Sequence, residues 1–579
     1  MKKLLVLILA LTLVLHGTAL AVADDDFIPD SEFSEEQIEA AKLYKDYSGQ
    51  DKSFTLAKSI TIDATLPDGQ SIEDNLWIDH FVTQFGVQPV VLWYAATGEA
   101  YNQKVSMCIA ADDIPDYMQV NVNQWRMLAK SDMLADLTGF FENNISKIGR
   151  QRFADIDDKP LNVVTYKGQI TGYPSVSPGA DSGSLIWIRT DWLEKLGLEE
   201  PTKYEDLTAI LEAFVNDDPD GNGVADTVGL IISPNRYGAA GAGTGNVGEM
   251  FLYYGAAPGM WIKNDAGDVT YGSVNKDVVK GLEQLNAWYK AGLIHQDWVA
   301  LGDNLRQDIS AGRCGLFFGP WWESWNLGDS VVNDPTAVWK SYGFDAEDGN
   351  YYVGMTDPAG NIGVISADAE DPEMIWQLLV VGRPQASIRS REEKERIDAA
   401  YAAALDSGIE HSHQPFRIIV GTVMTVENNY RYIHGIHNGS MTWEDVDAEF
   451  FPASGFTSHF DPAVNYDAQV VNYWLNVLNR ENPYEDMGEW INGMGYGVGV
   501  APMARDNCVR LYNDFIGQTE TMETKWAYLQ TMEEEAYTKM ILGDTDGLSI
   551  AEYFDKFVEE WNAQGGAQIT QEVKEALAG

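Results

Sequence analysis

Cysteine is nearly absent. The three present, Cys108, Cys314 and Cys508, are far apart and odd in number, so neither a disulfide framework nor a zinc cluster can be built from them. Each has apolar neighbours and is read as a buried free thiol. Positive charge is also short: 39 Lys and Arg stand against 88 acids, a formal charge of −49. Nucleic acid and anionic lipid need cationic patches that displace their counterions, so neither is expected as a partner. No second apolar run matches Leu4 to Leu15, and that one falls short of the roughly 20 residues a bilayer span needs. No GxxxxGK[ST] loop occurs, so the chain does not draw on ATP through that device. HExxH and GxSxG are missing as well. The pairs His411/His413 and His434/His437 lack a matching ligand set and read as core or surface residues. With 88 acids, accidental carboxylate pairs are inevitable, and none singles itself out for glycoside hydrolysis.

What is present begins with an address. Lys2 and Lys3 precede the apolar run, and Ala21-Val22-Ala23 closes it in the small-x-small pattern of a signal-peptidase site. Cleavage near Ala23 predicts a secreted, extracytoplasmic protein; a retained membrane anchor is the alternative. Residues 24–58 are acidic and weakly periodic, the pattern of a flexible leader. Beyond them, 45% hydrophobic and 11% aromatic content supports large cores. Ser59 to Asp63 alternates like a strand, Asn75 to Phe85 looks helical, and Gln88 to Trp93 reads as the next strand. This strand–helix–strand rhythm recurs and predicts α/β lobes. Thr202 and Glu205 form a capping-box pattern ahead of an apolar face at Leu207, Ile210, Leu211 and Phe214. Asn275 is placed to cap a helix carrying Val278, Leu282, Leu285 and Tyr289, which Gly292 ends.

The sharpest motif is Asp218-Pro-Asp220-Gly-Asn222-Gly-Val224-Ala-Asp226. Oxygens at positions 1, 3, 5 and 9, with a backbone carbonyl at 7, are the arrangement of a calcium loop. The candidate ligands for a structural Ca²⁺ are therefore Asp218, Asp220, Asn222, the Val224 carbonyl and Asp226. Gly229 stands where an EF-hand has its bidentate Glu, so another group must complete the shell. A solvated acidic turn is the alternative. Gly243-Thr-Gly245-Asn-Val-Gly248 matches GxGxxG but sits in a Gly/Ala-rich stretch and reads as a chance match. Eighteen tryptophans and 27 tyrosines carry more. Trp93 and Tyr94 end a predicted strand, Trp261 follows Pro258-Gly259, and Trp321-Trp322 follows Gly319-Pro320. An indole matches the C–H face of a sugar ring, while neighbouring polar groups take its hydroxyls. Ordinary packing is the competing reading for each one, and a carbohydrate cleft is the reading for the group. Arg236, with Arg189, is read as a candidate partner for an acidic sugar.

Several strings together resemble one family. Ala110-Ala-Asp112-Asp113-Ile-Pro115-Asp116 is similar to the SGDxPD segment of extracellular solute-binding proteins of family 1. Leu185-Ile-Trp187-Ile-Arg189-Thr-Asp191-Trp192-Leu-Glu-Lys-Leu-Gly197 resembles the iRkDWLdkLG stretch of its large Gram-positive oligosaccharide-lipoprotein branch. The acidic loop follows where it does in alginate-oligosaccharide-binding proteins. Trp288-Tyr-Lys-Ala-Gly292, Phe318-Gly-Pro-Trp321-Trp322, Phe515-Ile-Gly517 and the tail from Phe554 to Gly566 continue the match in order. The resemblance implies a type II periplasmic-binding-protein fold, two α/β lobes joined by a hinge. It implies lobe 1 over 59–188 and 356–483 and lobe 2 over 189–355 and 484–579. The crossings then fall near Ile188–Asp191, Met355–Asn361 and Asn482–Gly488. It puts Asp112 and Asp113 at the cleft rim, Trp187 and Arg189 at the hinge, and Trp321 and Trp322 on the second lobe. The implied function is binding without catalysis: a monomer that hands a carbohydrate, of the oligosaccharide class, to the permease subunits of an ABC importer. The branch's lipid-bearing cysteine is missing. A secreted carbohydrate-active enzyme and a binding protein feeding a sensor kinase are the competing functions.

Overall fold

The computed structural model describes residues 45–578, apart from 61–65, 67–68, 146, 177, 265–266, 382–412, 417, 419 and 455–465. The address segment with its Ala23 site, most of the leader and His411 lie outside the described residues.

The first sheet runs in the order Val87–Ala96, Lys52–Ile60, Tyr117–Val120, Ile362–Ile365, Tyr173–Pro174. Its first three strands are parallel and its last two join antiparallel. A parallel pair needs a crossover, and the sequence supplies one. Asn75 takes the N–H groups of Trp77 and Ile78, which starts the helix Leu76–Phe85, and Gly86 stops it at φ 68°. The first strand begins at Lys52, inside the segment read as a leader, because Phe54, Leu56 and Ala57 are already core residues.

The second sheet runs Trp339–Tyr342, Leu185–Arg189, Cys314–Gly319, Val228–Ile231. Leu185–Arg189 lies antiparallel to both neighbours, and all five of its residues are buried. The helix Asp206–Asn216 covers this sheet with Leu207, Ile210, Leu211 and Phe214, as its spacing predicts. Its start differs: Asp206 takes the Thr202 and Lys203 N–H groups, so the cap is made by the helix's own first residue and not by Thr202 with Glu205. The helix Val278–Lys290 buries Val278, Leu282 and Leu285, joined by Trp288, while Tyr289 packs at the margin. Cys314 is buried; Cys108 and Cys508 are only partly so.

Among the described residues, three segments join the two halves. The first leaves the first sheet after Pro174 and enters the second at Leu185, earlier than the expected Ile188–Asp191. The second runs from Gly354 to Ile362. The third passes between Val420, still bridged to Val176 of the first half, and the helix Thr425–Asn438. It does not lie at Asn482–Gly488. Tyr432, Ile433, Val446 and Trp474 pack with Trp187, Ile231 and Phe317 in one apolar cluster, which binds this helical stretch to the second half. Between the halves, the parallel ribbon Tyr351–Gly354 with Cys508–Leu511 shares a small core with Trp321, Met355, Val426 and Met503. Among the described residues, no helix is long and apolar enough to cross a membrane.

Candidate functional site

The strand Cys314–Gly319 ends against Pro320, whose fixed φ turns the chain out of the sheet. The next residues, Trp321–Glu323, form a single 3₁₀ turn before the helix Ser324–Asn333. This turn sets three indoles at graded depth. Trp321 is 8% exposed, Trp322 half-buried and Trp325 58% exposed. Trp321 donates its indole N–H to Asp181 Oδ1 at 2.9 Å. Its ring meets Trp322 edge-on at 5.9 Å and Tyr496 edge-on at 4.7 Å. Beneath it runs the π-helical turn Gly495–Gly499, where a Cβ on Gly495 would stand 3.0 Å from the indole. Glycine is required there for close approach, not for its φ.

These groups line a groove of about 310 Å³ that opens beside the hinge. Its wall is the Trp321–Trp322–Trp325 turn, and its floor is Gly495 with Tyr496. Polar groups come from Asp181 on the first connecting segment, Ser324, and Asn492 on the helix Met487–Met494. Burial pushes the Asp181 carboxyl above its ordinary value, and the Trp321 N–H holds it back. Behind the groove, Arg510 Nη2 donates to Glu427 Oε1. Burial raises the Glu427 carboxyl against that guanidinium, and Asp181 nearby adds to the rise.

Of the residues named from sequence, Trp321 and Trp322 line this groove. Trp187 does not: it is fully buried and donates to the Pro320 carbonyl at 3.0 Å, bracing the turn from behind. Arg189 is 1% exposed and spent on the frame. It binds Asp191 through Nε and Nη2 at 2.7 and 2.6 Å, and Asp334 at 2.6 Å. Its guanidinium lies 4.7 Å from the centre of Trp192. The Arg-x-Asp-Trp string is thus a structural clamp. Trp261 is buried against Tyr271 and Trp526. Arg236 donates to the Thr244 carbonyl at 3.0 Å and faces the buried Glu323, so it belongs to the loop network under the second sheet. The GxGxxG string is that loop: Thr244 donates to Glu323 and accepts from Arg306. On the first half, Trp93 lies under the Lys104 ammonium at 4.9 Å, while Tyr94, Asp112 and Asp113 are exposed, and none of the four lines the groove. Asp112 ends the helix Glu99–Ala111 in a left-handed conformation.

Sequence reasoning missed Asp181, Trp325, Asn492 and Tyr496. Trp325 was within reach, one helical turn beyond Trp322. Asp181 and Tyr496 come from distant segments, and no local signal marks them.

The acidic loop closes on itself. Gly221 and Gly223 take φ of 73° and 76°, which lets the chain wrap. Gly223 N–H donates to Asp218 Oδ2, and the Asn222 amide donates to both Asp220 Oδ2 and Asp226 Oδ1 at 2.6 and 3.0 Å. Asp218 Oδ1 is buried without a hydrogen-bond partner. Burial, together with Asp218 and Asp226, raises the Asp220 carboxyl. This donor set suits a hard cation. Among the described residues, no three His, Cys, Asp or Glu side chains stand at metal-holding geometry.

The model of the bacterial extracellular solute-binding protein family matches residues 85–380. The fructooligosaccharide ABC transporter substrate-binding protein FusA of Streptococcus pneumoniae is 27% identical over 218 residues, 34% of this chain and 38% of that one. The chain thus matches well under half of that relative's length. The polygalacturonan/rhamnogalacturonan-binding protein YtcQ of Bacillus subtilis is 22% identical over 419 residues, 72% of this chain and 71% of that one. The crystal structure of the alginate-binding protein AlgQ2 without calcium ion superimposes with a TM-score of 0.55 at 14% identity, covering 92% of this chain and 99% of that one. That likeness establishes the fold: two α/β lobes of the type II periplasmic-binding-protein kind.

Proposed function

Because the chain belongs to the bacterial extracellular solute-binding proteins, we propose that it captures an oligosaccharide between its lobes and delivers it, unaltered, to the permease of an ABC importer. The observation that carries this reading is the graded indole wall beside the hinge. Trp322 and Trp325 offer apolar faces to sugar rings, and the polar groups around them take hydroxyls in set directions. A ligand touching both lobes gains contacts only in the closed form and shifts the equilibrium by that difference. Moving a population from 1:99 to 99:1 takes about 5.5 kcal/mol, within reach of two stacked rings and several hydrogen bonds.

The acidic loop fits a structural calcium ion held by Asp218, Asp220, Asn222, the Val224 carbonyl and Asp226. Bound there, the ion would neutralise the crowded carboxylates and stiffen the second lobe. Export by the address segment and cleavage near Ala23 complete the reading, which places the working protein outside the cytoplasm.

The test is calorimetric titration of the full exported chain with oligosaccharides, followed by chromatography of the glycan. Binding with an unchanged glycan supports the reading; turnover overturns it. Trp325→Ala should weaken binding by about 2 kcal/mol, roughly 30-fold, with the melting temperature unchanged because the side chain is exposed. Thermal melts with and without chelator check the ion: occupancy at 100 times Kd adds about 2.7 kcal/mol.

A further inference from the structure

The groove carries an acid and no base. Its polar lining is the Asp181 carboxylate, the Ser324 and Tyr496 hydroxyls and the Asn492 amide, and among the described residues no Lys, Arg or His lines it. Arg510, Arg306, Arg126 and Lys130 do not line it. Arg510 is paired with Glu427. Arg306 is bonded to Thr244. On the first lobe, Arg126 donates Nη2 to the Ile516 carbonyl while its Nη1 stays buried without a hydrogen-bond partner, and Lys130 meets Glu523 at 3.3 Å; neither lines the groove. Asp181 is also held in place, since Trp321 fixes its Oδ1 and the side chain is largely shielded from water.

Resting on the carbohydrate reading of this same groove, we propose that it selects uncharged oligosaccharides, with Asp181 as the hydroxyl acceptor that sets the selection and Trp321 as its positioning residue. A sugar hydroxyl donating to a shielded carboxylate makes a charge-assisted bond, about twice as strong as a neutral one. A uronate set in the same place brings a second carboxylate beside Asp181 with no counter-cation, and removing that charge from water goes uncompensated. Discrimination of this kind works through the repulsive element as much as the attractive one. The formal charge of −49 also slows the approach of any polyanion. The relatives do not decide the matter, because one is named for fructooligosaccharide and another for polygalacturonan.

The experiment titrates the full chain with fructo-oligosaccharides, xylo-oligosaccharides and oligogalacturonates of matched length. At least one uncharged series is expected to bind, and oligogalacturonate at equal concentration is expected not to compete. Asp181→Asn should weaken the uncharged ligand 10- to 100-fold. Trp321→Phe keeps an aromatic ring, smaller than the indole, but removes the N–H donor, so it serves if the first variant does not fold. Binding should fail as acid protonates Asp181. Without the indole N–H that failure should come at a higher pH, a shift that mere loss of packing would not produce. Tighter binding of oligogalacturonate than of every uncharged series overturns the proposal and leaves the carbohydrate reading standing. Unchanged affinity in Asp181→Asn, or an unmoved pH profile in Trp321→Phe, overturns it too. Absence of binding by every glycan brings down both.

Discussion

Arg189 is a buried cation held by two carboxylates. Its guanidinium is buried between Trp192 and Trp339 and shared by two carboxylates. Arg189→Met should cost about 2–4 kcal/mol, below the fully buried case because Asp334 keeps a third of its side chain in water. Urea unfolding measures it. The pH dependence has a definite sign. Burial raises the Asp334 carboxyl, but Thr336 and Arg189 outweigh it and hold the group below its ordinary 3.8. A depressed acid stabilises the fold above its unfolded value, and that contribution is lost as pH falls through the folded one. The variant should therefore show a shallower acid limb. This residue was visible in the sequence as part of Arg-x-Asp-Trp, but its role was not. Whether an arginine faces ligand or frame depends on Asp334, 145 residues away.

The long helix Glu520–Leu542 buries an acid, Glu533. Burial pushes the Glu533 carboxyl up to about 7, against the Ser273 and Tyr271 hydroxyls, which favour its charged form. A raised acid contributes stability that is full below its unfolded value near 4.5 and is lost as pH rises through about 7. Glu533→Gln should remove that loss. The variant is expected to be about 1–3 kcal/mol more stable than wild type at pH 8.5 and close to it at pH 4, read from thermal melts across pH. Element identity was largely legible in sequence. Asn75 to Phe85 reads as a helix and the structure has one over Leu76–Phe85, and the spacing of Leu207, Ile210, Leu211 and Phe214 marked a buried face. The first strand was not, because Lys52–Ile60 interleaves Lys, Ser and Thr with its apolar residues and shows no clean alternation to set it off from the leader.

At the scale of the molecule, three connecting segments and one short ribbon carry the relation between the lobes. Ser182 and Thr356, on the first and second of these segments, hydrogen-bond through their hydroxyls at 3.0 Å. Glu427, just past the third, is tied by Arg510 to the ribbon. A hinge built from several strands bends without unfolding, because each segment absorbs a small change in φ and ψ. Saturating oligosaccharide should lower the radius of gyration measured by small-angle scattering. Trp325→Ala should reach the same endpoint, but only at about 30-fold higher ligand concentration. An unchanged radius at saturation would count against closure.

Sequence alone determined the fold class, the family and the indole-bearing turn. Each rests on signals that are local: periodicity, caps, and ordered strings such as Phe318-Gly-Pro-Trp321-Trp322. Only the tertiary structure decided which aromatics face solvent. Trp187, Trp261 and Trp325 look alike along the chain, yet the first two fill the core and the third stands at the groove. It also decided that the third crossing lies near residue 422, since the cluster joining Tyr432 and Trp474 to Trp187 forms between distant segments. The physical reason is the same in each case. Helix and strand signals are written within a few residues, whereas burial and charge pairing depend on groups brought together from hundreds of residues apart.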